Sequence, residues 1–427
     1  MKTATDEAGT PSPVQGDPIR VLHVCGALAG GVGSVLMGYY RHIDRSAVQF
    51  DFLTHSEPDP DVRTEVESLG GTINVVTPKT RGFMKNIAET KGLINRRTPH
   101  QVVHVHTASP TSFIYLLIAW IAGKRVRVAH SHATSLEIPP GSWQFRLHCA
   151  LRPLLRWTAT DHFACSVAAG HWLFGDDDEI RVIPNAIDTE RFKFDLAARE
   201  RVRLELGIED RLVVGHVGRF VDAKNHRFLV DVFAAFVRLE PQAVLLLVGD
   251  GPLENDVRRA VGNAGLEGKV HFLGHRLDVP ELLSAMDLFI LPSNFEGLPL
   301  VLVESQALGL PSLTSTEVTR EIALSDCVAF ESLATAPGSW AERALGMTVA
   351  PSERLMSDEI AKAGYDITSA ARSLAEFYRS EGRSSGGVCD LAYCLTKDSK
   401  CDCAQEARNL VRLLPASNKD RLSSSGP

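Results

Sequence analysis

The sequence predicts an α/β protein built as two parallel-sheet halves that face each other across a cleft. Three observations carry this. Short apolar runs alternate with amphipathic stretches from Ile19 onward. The pattern pauses in a polar, charged stretch after Asp188. It then restarts with runs more continuously apolar than the first set. Strands alternating with helical stretches of this length form βαβ units and a parallel sheet, and near-continuous apolarity marks strands buried on both faces.

Taken in order, residues 1–18 are polar and rich in Pro, Gly and Thr, and read as a disordered leader. IRVLHVC (19–25) is the first strand, followed by a glycine-rich turn and a helix from about Gly33 to Ile43. VQFDFLT (48–54), INVVT (73–77), VVHVH (102–106), RVAHSH (127–132), HFACS (162–166) and RVIPN (181–185) continue the first half. LVVGHVG (212–218), AVLLLVG (243–249), KVHFLG (269–274), LFILP (288–292) and LPSLTS (310–315) are the strands of the second. An amphipathic segment, Ser369–Tyr378, supplies the last helix, and beyond Arg379 the core signals fade. The expected division is a first domain over 19–190, a second over 191–365, a closing helix at 366–380 and a Cys-containing low-complexity tail at 381–427.

Composition narrows the function. Of 427 residues, 44% are hydrophobic and 23% charged, as in ordinary globular chains. Lys plus Arg number 45 against 52 Asp plus Glu, a net charge of -7 that argues against a nucleic-acid partner. The longest clean apolar run, Phe113–Ala122, is about half of the ~20 residues that span a bilayer. The leader has no apolar segment to act as a signal peptide, so a soluble, cytoplasmic protein is expected. Cys25, Cys149, Cys165 and Cys327 stand singly, as buried reduced thiols do. Cys389, Cys394, Cys401 and Cys403 crowd the tail, but their spacing matches no common structural zinc pattern, and reactive thiols on a flexible tail are the favoured reading.

Parallel sheets bind ligands at the carboxyl ends of their strands, so the chemistry is sought there. Gly26-Ala-Leu-Ala-Gly30-Gly31-Val-Gly33 follows the first strand, where a tight turn and a helix start offering N–H groups to a phosphate are both open readings. The spacing fails the G-x-G-x-x-G dinucleotide pattern, and the second strand ends without the expected acid, which disfavours a nicotinamide enzyme. His104/His106 and His130/His132 are two His-x-His pairs, each on one strand face. A metal site, a polar wall for sugar hydroxyls, and simple hydrogen-bonded strand histidines all remain possible for them. His132 differs in leaving its strand for a Ser/Thr loop. In the second half, Arg219 and Lys224 lie in one strand-to-helix loop, where a clamp for a diphosphate and two solvated loop charges are both open readings. Gly249 and Gly251 permit another such turn. In LFILPSNFEGLPLVLVESQALGLP, Pro299 is placed as the first helical residue and Gly309 just past the helix end. Glu304 sits inside this helix among apolar neighbours, costly unless paired, and ribose hydroxyls would pair it. The N–H groups of Gly297 and Leu298 would face the same ligand.

Nine segments in order, HVCGALAGGVGSVLM, VVHVHTASP, RVAHSHATS, CSVAAGHWLFG, VIPNAIDTERF, GHVGRFVDAKNH, LLLVGDGP, FLGHRLDV and NFEGLPLVLVESQALGLP, resemble the retaining glycosyltransferases of family 4. The resemblance runs from about Ile19 to Tyr378 and points to the branch that builds exopolysaccharide or capsule. It includes the family's E-x7-E signature as Glu296 and Glu304. It implies the GT-B fold of two Rossmann-like domains and a nucleotide-diphosphate sugar, by family frequency a UDP-sugar, on the second half. By the same resemblance, Glu304 would hold the ribose, Arg219 and Lys224 the diphosphate, and Glu296 with Gly297 and Leu298 the donor sugar. Gly31 would close over the phosphates. His132 and Glu296 would be the catalytic positions beside the transferred sugar, with His130, Arg276 and Asn225 auxiliary. No cofactor and no metal are implied, because Arg219 and Lys224 supply the positive charge. The leaving diphosphate would help deprotonate the acceptor hydroxyl, which attacks on the same face.

The acceptor, a saccharide or lipid-linked oligosaccharide, would lie on the first half. Lys79–Arg97 carries six cations against one acid, and Ser142–Trp157 mixes Trp143, Phe145, Leu147, Leu151 and Trp157 with three arginines. Such surfaces rest on anionic membranes, so peripheral contact with the inner face of the plasma membrane is expected. A nucleotide-sugar epimerase, a non-catalytic scaffold and a metal hydrolase are the competing readings. The paired glutamates, the cationic loop and His132 favour the transferase.

Overall fold

The computed structural model describes residues 17–95, 100–134, 138, 141–175, 179–354 and 358–383. The leader as far as residue 16 and the tail from residue 384, with its four cysteines, lie outside the described residues.

The first half is built from β1 (Ile19–Val24), α1 (Gly30–His42), β2 (Val48–Thr54), α2 (Pro60–Ser68), β3 (Ile73–Val75) and α3 (Phe83–Ile94). It continues with β4 (Val102–Thr107), α4 (Phe113–Ile121), β5 (Val126–Ser131), α5 (Trp143–Thr158), β6 (Asp161–Ala164), α6 (Val167–Phe174) and β7 (Ile180–Val182). These seven strands pair in the order β3-β2-β1-β4-β5-β6-β7, every pair parallel. The second half comprises α7 (Leu196–Leu206), β8 (Val213–Val217), α8 (His226–Leu239), β9 (Val244–Val248), α9 (Glu254–Asn263), β10 (Val270–Gly274) and α10 (Val279–Ala285). β11 (Leu288–Leu291), α11 (Leu300–Ala307), β12 (Ser312–Ser315), β13 (Val328–Glu331) and α12 (Pro337–Gly346) follow. Its six parallel strands run β10-β9-β8-β11-β12-β13. In both sheets the order reverses beside the first strand of the half, opening the crevice in which such sheets hold ligands.

Local chemistry explains the boundaries. Ser142 caps α5 by accepting from the Phe145 N–H, and Ser166 caps α6 through Ala169 N–H. Asp195 accepts two N–H groups at the start of α7, and Gly207 ends that helix at φ 66°. The apolar run at 113–122 becomes α4, which lies against β4 and β5 rather than in lipid. Among the described residues no helix is long and apolar enough to cross a membrane.

α13 (Ile367–Arg383) carries the chain back to the first half. Its buried face, Ile367, Ala371, Leu374, Phe377 and Tyr378, joins the core formed by β1, β2 and α1. The two crossings run side by side: Ile187 N–H donates to Tyr365 O and Ile367 N–H to Ile187 O. Both links between the halves are therefore tied into one hydrogen-bonded hinge.

Several expectations need correction. α1 begins at Gly30, three residues before the expected start, and only Gly30 of the cluster takes positive φ, at 63°. Pro299 is the N-cap of α11, not its first residue. α13 extends beyond Ser369–Tyr378 at both ends, because its first turn is anchored by the hinge at Ile367. Cys25 and Cys165 are buried, but Cys149 and Cys327 are partly exposed; all four are free. β13 was not anticipated, because VAFE is a four-residue, half-exposed strand at the sheet's edge, too short and too little buried to stand out.

Candidate active site

Two loops at the crevice of the second sheet are sewn together. The loop after β11 is tied to the loop after β8 where Asn294 N–H donates to Ala223 O at 2.8 Å and Asn294 Nδ2 to Asp222 O at 2.7 Å. This places the two charged motifs in contact. Lys224 Nζ lies 2.5 Å from Glu296 Oε1, and both side chains are less than one-fifth exposed, at 18% and 16%. Ser293, fully buried, donates its hydroxyl to the same Glu296 oxygen at 3.0 Å. Arg219 is exposed beside this pair, with no carboxylate partner among the described residues. Asn225, which caps α8, holds φ 52° and is the one non-glycine residue with positive φ among those described. Such strain persists only where the surroundings impose it, here at the end of the loop that follows β8.

Glu304, on the cleft side of α11, is partly buried, and no hydrogen-bond donor among the described residues reaches its carboxylate. Burial raises its pKa to about 7, opposed in part by the Arg191 charge. Its oxygens keep contact with solvent, so water is the partner left to them in the free protein.

The first half meets this loop at closest range around Gly297. A methyl group there would lie 2.4 Å from His132 O and 3.1 Å from Ala133 Cα, so only glycine allows the approach. Thr134 donates its hydroxyl to Glu296 O at 2.7 Å, and Asn185 Nδ2 to Leu298 O at 2.9 Å. The segment after β5 and the loop after β11 thus form one continuous wall, with His132 and Glu296 on it. Gly31 stands exposed in the first turn of α1, with nothing within 4 Å of an added methyl. Leu298 is buried and can offer only its backbone. Arg276 follows β10, and its guanidinium is engaged bidentately by Asp278.

Behind His132 the sheet carries a row of imidazoles. Parallel register sets His23 opposite His104 and His106 opposite His130. Because alternate residues share a face, five rings line up. His23 Nδ1 lies 2.9 Å from His106 Nε2, and His106 Nδ1 lies 2.8 Å from His132 Nε2. His104 Nε2 lies 3.1 Å from His130 Nδ1, and its Nδ1 is 2.6 Å from the Tyr378 hydroxyl on α13. Burial lowers every one of these pKa values, to about 3 for His23 and about 4 for His132, so the row is neutral.

Two family models divide the chain between them: Glycosyltransferase Family 4 matches residues 29–191, and Glycosyl transferases group 1 matches residues 211–345. EpsF of Bacillus subtilis (strain 168), named as a glycosyltransferase, is 36% identical over 375 residues, covering 84% of this chain and 96% of that protein. The chain belongs to glycosyltransferase family 4.

The transferase is also 30% identical over 247 residues to the Escherichia coli UDP-Gal:alpha-D-GlcNAc-diphosphoundecaprenol alpha-1,3-galactosyltransferase, covering 54% of this chain and 62% of that one. Anabaena Alr3699/HepE, solved in complex with UDP and glucose, superposes with a TM-score of 0.69 at 22% identity, covering 85% of this chain and all of that one. At that identity the likeness speaks for the fold: the transferase has the GT-B architecture of two Rossmann-like domains.

Sequence reading missed three contributors. Arg191, in the link between the halves, supplies positive charge near Glu304. Ser293 fixes Glu296. His23 completes the imidazole row, and its signal was available, since it occupies a core-facing position of a strand neighbouring VVHVH.

Proposed function

We propose that this glycosyltransferase moves a hexosyl group from a UDP-sugar to a growing, lipid-linked saccharide with retention of configuration, in exopolysaccharide or capsule synthesis. The carrying observation is Glu304, a partly buried carboxylate near the Arg191 charge and without a hydrogen-bond partner among the described residues. A ribose diol supplies the two donors it lacks. The named substrates of the E. coli relative and the UDP and glucose held by Alr3699/HepE support a nucleotide-sugar donor. The E. coli relative's diphosphoundecaprenol-linked acceptor supports a lipid-linked one.

Arg219 and Lys224 bind the diphosphate, with the first-turn N–H groups of α1 at Gly31 closing from the opposite side. In the free protein Lys224 is shared with Glu296. The arriving phosphates take part of that charge and leave a Glu296 oxygen for a sugar hydroxyl. His132, half-exposed and neutral, contacts the transferred sugar as a hydrogen-bonding group rather than as a cation. His130, Asn225 and Arg276 keep auxiliary places: His130 behind His132, Asn225 shaping the phosphate loop, Arg276 at the rim. The acceptor hydroxyl attacks on the face from which the diphosphate leaves, and a diphosphate oxygen takes its proton. Lysine and arginine stabilise the leaving charge, so transfer requires no metal.

The acceptor side presents Phe83, Met84, Trp143 and Leu147, 44–75% exposed, among Lys85, Lys91 and Arg146. This surface rests on anionic lipid at the inner face of the membrane. A thermal-shift screen of UDP-, GDP- and ADP-sugars, followed by product mass spectrometry, tests the donor. Stabilisation by one nucleotide class and a sugar added to acceptor is expected. No response to any donor, or epimerised donor without transfer, refutes the reading.

A further inference from the structure

The proposed reaction engages His132 but leaves the rest of the imidazole row without chemistry. We propose that His106, His130 and His132 bind a zinc-class transition-metal dication at the wall of the cleft, and that an ion held there takes His132 away from the sugar and inhibits transfer.

The geometry follows from the sheet. His130 and His132 lie two residues apart at the end of β5, and His106 faces His130 across the register from β4. Each offers one ring nitrogen, and the three nitrogens lie within 4.8 Å of one another. His130 Nε2 is buried with no hydrogen-bond partner, and His106 Nδ1 and His132 Nε2 converge at 2.8 Å. The opposite nitrogens of two of these rings are already held. His106 Nε2 meets His23, and His130 Nδ1 meets His104, which Tyr378 anchors in turn. Metal-binding histidines are oriented by such outer partners, which leave the inner nitrogen free to ligate.

The donor set selects the ion. Three imidazoles without a carboxylate suit Zn²⁺, Co²⁺, Ni²⁺ or Cu²⁺, not Mg²⁺ or Ca²⁺, which demand oxygen. On one side the rings border about 10 Å³ of free space closed by Val35, Leu36, Tyr39, Phe50, Ile183 and Leu374, an apolar backing to the row, so the ion would sit between the converging nitrogens instead. A second triple, His23, His104 and His106, shares one ring, but its other two members, His23 and His104, are fully buried. The outer triple includes half-exposed His132, which gives the ion a route from the cleft and leaves a coordination position open there.

The inhibitory half rests on the proposed role of His132, whereas binding can be read without any transfer assay. The full-length protein is loaded with Co²⁺, passed through gel filtration and examined by metal analysis and visible absorption. A parallel sample has Cys389, Cys394, Cys401 and Cys403 replaced by Ser. One retained equivalent with a nitrogen-ligand d–d spectrum is expected in both. His130→Gln should lose it, as should His132→Asn, which lies at the cleft edge and spares the core; circular dichroism confirms that each variant is folded. Zn²⁺ should displace Co²⁺ and lower transfer about tenfold or more, reversibly with chelator. Metal that fails to stay bound, that persists in both histidine variants, or that disappears with the tail cysteines overturns the site. Bound metal with undiminished transfer overturns the inhibitory consequence and the role of His132 behind it.

Discussion

Gly297→Ala tests the arrangement of the cleft most directly. The added methyl would sit 2.4 Å from His132 O and 3.1 Å from Ala133 Cα, both backbone atoms of a strand end, so no side chain can swing aside. To reach even a 3.0 Å contact the two backbones must part by roughly 0.6 Å. That displacement falls between Glu296 and His132 and stretches the 2.7 Å bond from Thr134 to Glu296 O. Misplacing reacting groups by about 1 Å costs about a hundredfold in rate, so a kcat loss of roughly tenfold or more, about 1.4 kcal/mol, is expected. Glu304, Arg219 and Lys224 do not touch the new methyl, so nucleotide affinity should stay within about twofold. Overpacking should also cost stability, about 1–3 kcal/mol. Initial-rate kinetics with a radiolabelled donor, calorimetric nucleotide binding and thermal melts separate these effects. Gly338→Ala, where an added methyl meets nothing within 4 Å, is the control. A Gly297→Ala enzyme with wild-type kcat would refute the claim that this contact sets the cleft geometry.

The remaining predictions concern individual charges. Glu304→Gln keeps the shape but removes the charged acceptor, so nucleotide Kd should rise by about ten- to a hundredfold; an unchanged calorimetric Kd rejects the ribose role. Because burial raises this carboxyl to about 7, wild-type nucleotide affinity should strengthen as pH rises through that value, and Glu304→Gln should abolish the dependence. The same shift predicts free-protein stability that falls from the ordinary carboxylate range up to about pH 7 and then levels, since the unfolded chain gives up the proton first; urea titrations across that range should find the slope missing in Glu304→Gln. Lys224→Met should weaken a nucleoside diphosphate about tenfold while sparing the nucleoside, and equal losses for both would exclude a phosphate contact. His132→Ala should retain donor binding and lose transfer by roughly a hundredfold, with full activity removing it from the site. Replacing Trp143 and Phe83 together by Ala should reduce co-sedimentation with anionic liposomes, and binding indifferent to both side chains and lipid charge would dismiss the membrane surface.

Much of this was legible in the chain itself. Central strands such as VLLLV are buried on both faces, so continuous apolarity announces them and their alternation with helices dictates parallel pairing. Half-exposed β13, four residues long, is too short and too little buried to stand out and was missed. Glu304 stood out because an acid among Leu, Val and Ala on a helix violates local patterning, and such violations mark function. Lys224 and Glu296 were each legible as charged loop residues. Their contact was not, because it depends on Asn294 joining two loops that are far apart in sequence.

Sequence by itself determined the two α/β halves, the family, and which residue types face the cleft, since periodicity, caps and short motifs are local properties that the chain encodes wherever it folds. Tertiary structure alone decided what those residues do to one another. Parallel register turned two His-x-His pairs and a fifth histidine into one neutral row. Close approach of two backbones made Gly297 indispensable, and burial without a partner raised Glu304 towards neutrality. Register, proximity and desolvation belong to the whole fold, because each depends on atoms that only packing brings within reach.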